Sequence, residues 1–478
     1  MWELVASLGG FLWNFLLLFA LVGAGIYFTI ILKFPQFTRL MPAITKLIRD
    51  IKEGKEVPEG RMTPFQSLAT AVAAQVGTGN IVGVATAIAS GGPGAAFWMV
   101  VSAFFGMSTI FGEAVLAQMY RHRTPSGETV GGPAYYIRDG LNSKVLGLIF
   151  AVLAVVALGI VGIMIQSNAV VVSLNESFNI PLAWGTAGLL ALVGIVLAGG
   201  MDRIGGFSEK VVPVMAVAYV IGSLIVVVMN IGNLIPALLL ILQSAFTPEA
   251  VGGGVLGITV QETIRFGVAR GLFSNEAGLG STPHSHAVAD TDHPAEQGFI
   301  AMIGVFISTF MICTSTVMIN MVSGSYDSTI PASEMAEGAT LMTQTGFANS
   351  FGSFGSAFLS ISLSAFALTT IVGWYFFAES NVKILSNDSK IIVKGFKVVA
   401  LAFLVLGPMI DPTNLWSLND LFTGLMALPN IVALLFLSKQ VKFILNDFDR
   451  KTAEGGKLVW PERDELPGRL GEKKRKAS

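Results

Sequence analysis

Residues 74–83 read AQVGTGNIVG, in the middle of a stretch otherwise composed like a membrane-spanning helix. Gln75, Gly77, Thr78, Gly79 and Asn80 crowd into this short run. Glycine in a helix interior costs about 1 kcal/mol relative to alanine, and an unpaired polar group in hydrocarbon costs several. A span carrying this run at mid-depth is therefore expected to be broken there. Helix should run over about residues 63–75, unwind over 76–79 and restart at Asn80. The break frees carbonyls at the end of the first piece and N–H groups at the start of the second. Carbonyl oxygens suit a hard cation such as Na⁺, and N–H groups at a positive helix end suit a carboxylate. Non-helical backbone at that depth is tolerated only where it lines a cavity or is buried in protein. Close helix packing also uses glycine, and that reading fits Gly83, Gly91 and Gly92. The polar neighbours of Gly77 and Gly79 point to a break instead.

The rest of the chain supplies the membrane. Of its 478 residues, 53% are hydrophobic and only 13% charged, with a mean hydropathy of +0.68; soluble domains carry about 25% charged residues. The apolar runs are helix-length, which predicts an all-α integral membrane protein of about eleven transmembrane helices, at about 20 residues per span, and not a barrel. The first run, 11–32, lacks a basic flank and a cleavage site and reads as a retained helix. Cys313 is the single cysteine, which excludes an intramolecular disulfide. Lys and Arg cluster at 33–61, 121–144, 203–210, 383–397 and 439–476, whereas 173–180, 233–256 and 323–346, read as loops, have none. With eleven spans the basic blocks share one side, which places the N-terminus outside and the C-terminus in the cytoplasm. From Gln36 to Gly54 apolar residues recur at helical spacing against Lys46, Arg49 and Lys52, the pattern of a helix lying on the membrane surface. The charged stretch from Asp447 reads as a disordered tail facing solvent or lipid, not nucleic acid.

Secondary transporters are commonly built from inverted repeats with matched interruptions. A second interruption is expected in ARGLFSNEAGLGSTPHSHA, from Ala269, where Ser274, Asn275 and Glu276 sit mid-span between Gly271, Gly278 and Gly280. The two interruptions fall in the second and seventh spans, an odd offset that reverses direction through the membrane. Four regions follow: 1–62, an accessory span and interfacial helix; 63–232 and 233–442, two inverted five-span repeats; and 443–478, the charged tail.

QVGTGNIVG, GGPGAAFWM (91–99) and FSNEAGLGSTP (273–283) together resemble the alanine or glycine:cation symporter family of prokaryotes, over most of the chain to about Lys442. The resemblance implies a leucine-transporter-like fold with two discontinuous helices, in the prokaryotic plasma (inner) membrane. It implies a Na⁺-coupled symporter of small neutral amino acids, with Na⁺ as co-transported ion and no other cofactor. On that basis the substrate carboxylate meets the Thr78 and Gly79 N–H groups. Carbonyls near Ala73 and Val76, with the hydroxyls of Thr369 and Thr370 in ALTTIVGW, take a cation. Trp374 and Phe273 close over a side chain no larger than methyl. Gln75, Gln166 and Asn275 bind the amine or carboxylate, and Asn80, beside Ser274, serves a second cation. Both aromatics also fit ordinary packing.

Arg265, Arg270, Glu262 and Glu276 read as a salt-bridge network, and Glu113 as the partner of a cytoplasmic Arg or a proton-handling group. His284 and His286, in PHSHA, form an H-x-H pair without cysteine, a weak metal signal. The absence of a GxxxxGK[ST] loop argues against ATP as energy source. A channel would need a continuous pore, and an enzyme a nucleophile–base pair that the sequence lacks. Within transport, proton-coupled uptake of another small neutral amino acid is the alternative.

Overall fold

The computed structural model describes residues 2–54, 57–125, 127–247, 259–327, 329–330, 332–455 and 458–467. In chain order its main helices are α1 (Trp2–Ile31), α2 (Leu40–Glu53), α3 (Pro64–Gln75), α4 (Gly79–Gly91), α5 (Ala95–Met119), α6 (Pro133–Gly140), α7 (Lys144–Phe178), α8 (Leu182–Ala198), α9 (Gly200–Met229) and α10 (Ile231–Ser244). There follow α11 (Val260–Asn275), α12 (Pro283–Ala287), α13 (Pro294–Val322), α14 (Ala332–Phe351), α15 (Ser353–Ser386), α16 (Lys390–Met409) and α17 (Pro412–Ala453). A two-residue pairing of His122–Arg123 with Thr129–Val130 is the one sheet among the described residues.

Among the described residues, eight helices are long and apolar enough to cross a bilayer: α1, α5, α7, α9, α13, α15, α16 and α17. The pair α3–α4, bent by 55°, makes a ninth; α8 is apolar but shorter. The helices that break start alike. Thr63 caps α3 and Thr259 caps α11 through reciprocal bonds with Gln66 and Glu262 three residues on. α5 and α15 pack against both broken segments and form the centre of the bundle.

Ion pairs gather the basic blocks at one end, which we call the basic end: Arg39–Asp449, Arg61–Asp290 and Lys383–Glu128, each at 2.5 Å. α2 lies across that end, burying Ala43 and Leu47 and exposing Met41, Ile48 and Ile51, as a surface helix should.

Two expectations are corrected. The stretches read as loops at 233–256 and 323–346 hold α10 and α14 where they are described; 248–258 lie outside the described residues. Over the described residues from Asp447 to 467, the chain is not a disordered tail. α17 continues to Ala453, and the chain then docks: Trp460 Nε1 donates to Thr291 O (3.0 Å), Arg463 donates to Met119 O (2.7 Å) and Arg121 O (2.6 Å), and Arg121 lies over the Trp460 ring. The two carbonyls that Arg463 meets stand at the end of α5, where a guanidinium meets the negative helix terminus. Residues 468–478 lie outside the described residues.

Candidate functional site

The first break is shorter than the sequence implied. Only residues 76–77 leave the helix: Val76 has φ −107° and ψ 85°, Thr78 already has helical dihedrals, and a π-helical turn runs Gly79–Gly83. The cause is a side chain: Asn80 Oδ1 accepts the Gly77 N–H (3.1 Å) and replaces the missing helical partner. The freed carbonyls meet a hydroxyl. Thr370 Oγ1 lies 2.9 Å from Ala73 O and 3.3 Å from Val76 O. A methyl group on Gly77 would stand 2.5 Å from Thr370 Oγ1, so only glycine admits this approach. Gln166 clasps Thr78, its Oε1 accepting from Thr78 N (3.3 Å) and its Nε2 donating to Thr78 Oγ1 (3.0 Å).

Thr369 does not join this group, contrary to expectation. Its hydroxyl donates to Phe366 O (2.8 Å) and faces Met215 (3.7 Å). Adjacent helix positions point about 100° apart, so only one of the two threonines can face the break.

The second break lies after Phe273, Ser274 and Asn275, not on them; these form the last turn of α11. Residues 276–282 leave the helix, beginning with Glu276 in the left-handed region at φ 59°. Gly278 (φ 85°) and Gly280 (φ 87°) follow, and their N–H groups point at Glu113 of α5: Gly278 N to Oε2 at 2.9 Å, Gly280 N to Oε1 at 3.0 Å. Asn430 of α17 donates to Glu113 Oε1 as well (2.7 Å) and accepts from Tyr136. Glu113 therefore has neutral N–H partners, not the cytoplasmic Arg expected for it. Glu276 accepts from Trp374 Nε1 (2.6 Å), and Ser281 Oγ lies 2.5 Å from its Oε2.

The expected network of Arg265, Arg270, Glu262 and Glu276 does not form. Glu262 serves the Thr259 cap, Arg265 stacks over Phe266, and Arg270 pairs with Asp420 through both oxygens (3.1 and 3.2 Å). Trp374 is also corrected. It is not a roof: its ring packs on Gly162, one turn to the basic side of Gln166, and makes a floor tied to Glu276. Phe273 does lie on the opposite side, its ring against Gly79 and edge-on to Trp416 (5.5 Å).

Between the breaks the remaining candidates bond to one another or to neighbouring backbone, although the buried Gln75 Oε1 has no hydrogen-bond partner. Gln75 Nε2 donates to Asn275 O (2.7 Å), and Asn275 donates to Thr309 (3.1 Å) while accepting from Ala277 N (3.1 Å). Asn80 Nδ2 donates to Ser274 Oγ (2.8 Å) and Ser308 Oγ (3.0 Å), with Cys313 Sγ at 3.4 Å. Gln75 and Asn275 are thus braces between the broken helices and do not line the cavity. Ser308, Asn430 and Trp416 were not foreseen. Ser308 and Asn430 carry the signal of a polar residue in an apolar run; Trp416 carries none.

A cavity of about 190 Å³ leads from Thr78 along one face of α7, past Asn168 and Ser173, to Glu176 at the end opposite the basic blocks. Trp416 lines it, with the Arg270 guanidinium over its ring at 5.3 Å. The arrangement is one freed pair of carbonyls beside a hydroxyl, and a helix start at the inner end of an open path.

The sodium:alanine symporter family matches residues 1–461. The chain belongs to that family. Its relatives include the sodium/alanine symporter AgcS of Methanococcus maripaludis, 39% identical over 91% of this chain and 94% of that one. The probable sodium/glutamine symporter GlnT of Bacillus subtilis is 38% identical, covering 95% and 92%. The uncharacterized transporter YflA of Bacillus subtilis is 40% identical over 93% of each. Among solved structures, a mutant of the Eremococcus coleocola manganese transporter matches with a TM-score of 0.52 at 17% identity, over 84% of this chain and 85% of that one, a likeness of fold alone. This family member is accordingly a multi-pass membrane protein and an amino acid:cation symporter.

Proposed function

We propose that this symporter couples inward movement of Na⁺ to that of alanine or glycine by alternating access, in a prokaryotic plasma membrane. The observation that carries the reading is the first break, where Ala73 O and Val76 O face the Thr370 hydroxyl and Thr78 opens the next helix under a cavity. Na⁺ takes the two carbonyls and Thr370 Oγ1, a set of hard oxygens. The substrate carboxylate takes the Thr78 and Gly79 N–H groups and displaces Gln166, which turns to the substrate. Phe273 and Trp374 bound the side chain from opposite sides. Asn80 is the candidate ligand of a second cation. Each ligand raises the affinity of the other by the same factor.

The topology proposed with it has eleven spans. α8 and the interrupted α11–α12 segment complete the count, α1 is accessory, and five-plus-five inverted repeats occupy 63–232 and 233–442. The basic end is cytoplasmic and the N-terminus outside.

The test is uptake of labelled alanine and glycine into proteoliposomes. A sodium gradient should drive saturable accumulation, and its removal should abolish it. A second reading, proton-coupled uptake of another small neutral amino acid, draws on the buried Glu113 and Glu276. It requires an acid-outside gradient to replace Na⁺ fully.

A further inference from the structure

Glu113 and Glu276 are both buried, both held on residues 276–282 or by them, and neither has a role in the site proposed above. The groups that face this segment come from several elements. α5 brings Glu113, α6 brings Tyr136 through Asn430, α15 brings Trp374, α17 brings Asn430, and the segment's continuation brings His284, held by Ser281 O and Asn381. Leu21 of α1 and Phe150 of α7 add only apolar contact. Among the described residues, neither carboxylate forms an ion pair with Lys or Arg. Two neighbouring carboxylates buried without a cation cannot both be ionised cheaply, because each desolvated charge is expensive and like charges repel.

The hydrogen bonds decide which one is neutral. Glu113 receives three N–H groups, from Gly278, Gly280 and Asn430, and an N–H can only donate. A proton on Glu113 would find no acceptor among them. Glu276 receives one N–H, from Trp374, and its other oxygen meets a hydroxyl, Ser281 Oγ, which donates or accepts.

We infer that Glu276 is a proton-binding site, neutral in this closed arrangement with its O–H donating to Ser281, while Glu113 stays ionised to hold the glycine N–H groups. Because Trp374 is the floor on the basic side, opening there parts Trp374 from Glu276 and admits water. The Glu276 O–H bond then breaks, the proton passes to water at the basic end, and the carboxylate remains solvated.

The test is infrared spectroscopy of the purified full chain in bilayers, comparing wild type with E276Q, E113Q and S281A. Gln at 276 keeps an acceptor for Trp374 and a donor for Ser281, so it imitates the protonated acid. The carbonyl stretch of a protonated carboxyl should be present in wild type at neutral pH, lost in E276Q and kept in E113Q. In S281A it should persist but move to higher frequency, a readout that stands even if E276Q does not fold. A stretch unchanged in E276Q, or lost only in E113Q, overturns the inference. A second arm rests on the symport reading: acidifying the basic-end compartment should slow alanine uptake by wild type, while E276Q should be insensitive to it. An E276Q that keeps the wild-type pH profile also overturns the inference. Absence of any alanine uptake with the infrared pattern intact refutes the symport reading instead.

Discussion

At the first break two residues, 76–77, leave the helix, and the carbonyls they free look onto the hydroxyl of Thr370. At the second, residues 276–282 leave it; the buried Glu113 carboxylate takes the freed Gly278 and Gly280 N–H groups, and Glu276 bonds the Trp374 and Ser281 side chains. The first borders a cavity and is closed by side chains that can swing, Gln166 above all. The second is tied to α5, α15 and α17 by charged or indole hydrogen bonds. A break left with weak partners is available to ligands. One fully occupied by its own protein works as a latch, and its bonds must be broken to move it.

The largest effect that would break this contrast is on the latch. Glu113→Ala leaves the Gly278 and Gly280 N–H groups and Asn430 without their acceptor; at about 1–3 kcal/mol for each orphaned group, the loss should reach about 3 kcal/mol or more. Thermal denaturation in detergent should show a large fall, with Glu113→Gln intermediate. Equal stability of all three proteins would remove the latch from the account. Gly77→Ala comes next: its methyl must push Thr370 away, an overpacking cost of about 1–3 kcal/mol. Na⁺-driven alanine uptake should drop by about tenfold or more at normal expression, and wild-type uptake would contradict the tight approach at the first break.

Trp374→Ala removes the floor and one partner of Glu276. A methylene is worth about 1–3 kcal/mol of discrimination in an apolar pocket, so competition by valine and leucine should strengthen by about tenfold against alanine. An unchanged order of competitors would place the floor elsewhere. The finest contrast is between neighbours on one helix. Thr370→Ala should raise the Na⁺ concentration for half-maximal uptake by about tenfold, about 1.4 kcal/mol, whereas Thr369→Ala should leave it within about twofold. Reversed effects would show that the helix face has been misassigned.

The sequence made the first break legible because Gly77 and its polar neighbours contradict a helix in lipid on local grounds. Its length was not legible, because the bond from Asn80 back to Gly77 is set by the fold. The second break was foreseen in the right segment and misplaced by a few residues. Ser274 and Asn275 are tolerated in a final helical turn, and Glu276 in a left-handed conformation is a choice that a glutamate does not announce. Thr370 and Trp374 stand one turn apart on α15, a spacing that puts them on one helix face. That Trp374 is a floor depends on Glu276, far away in the chain. Glu113 and Asn430 look like isolated polar residues until the helices that carry them are brought together.

What the first break holds is tested most directly by a structure determined with Na⁺ and alanine bound. It should place the alanine carboxylate on the Thr78 and Gly79 N–H groups, Gln166 turned off Thr78, and the ion among Ala73 O, Val76 O and Thr370 Oγ1. Alanine seated elsewhere, with Gln166 still on Thr78 and Thr370 still bonded to Ala73, would contradict it.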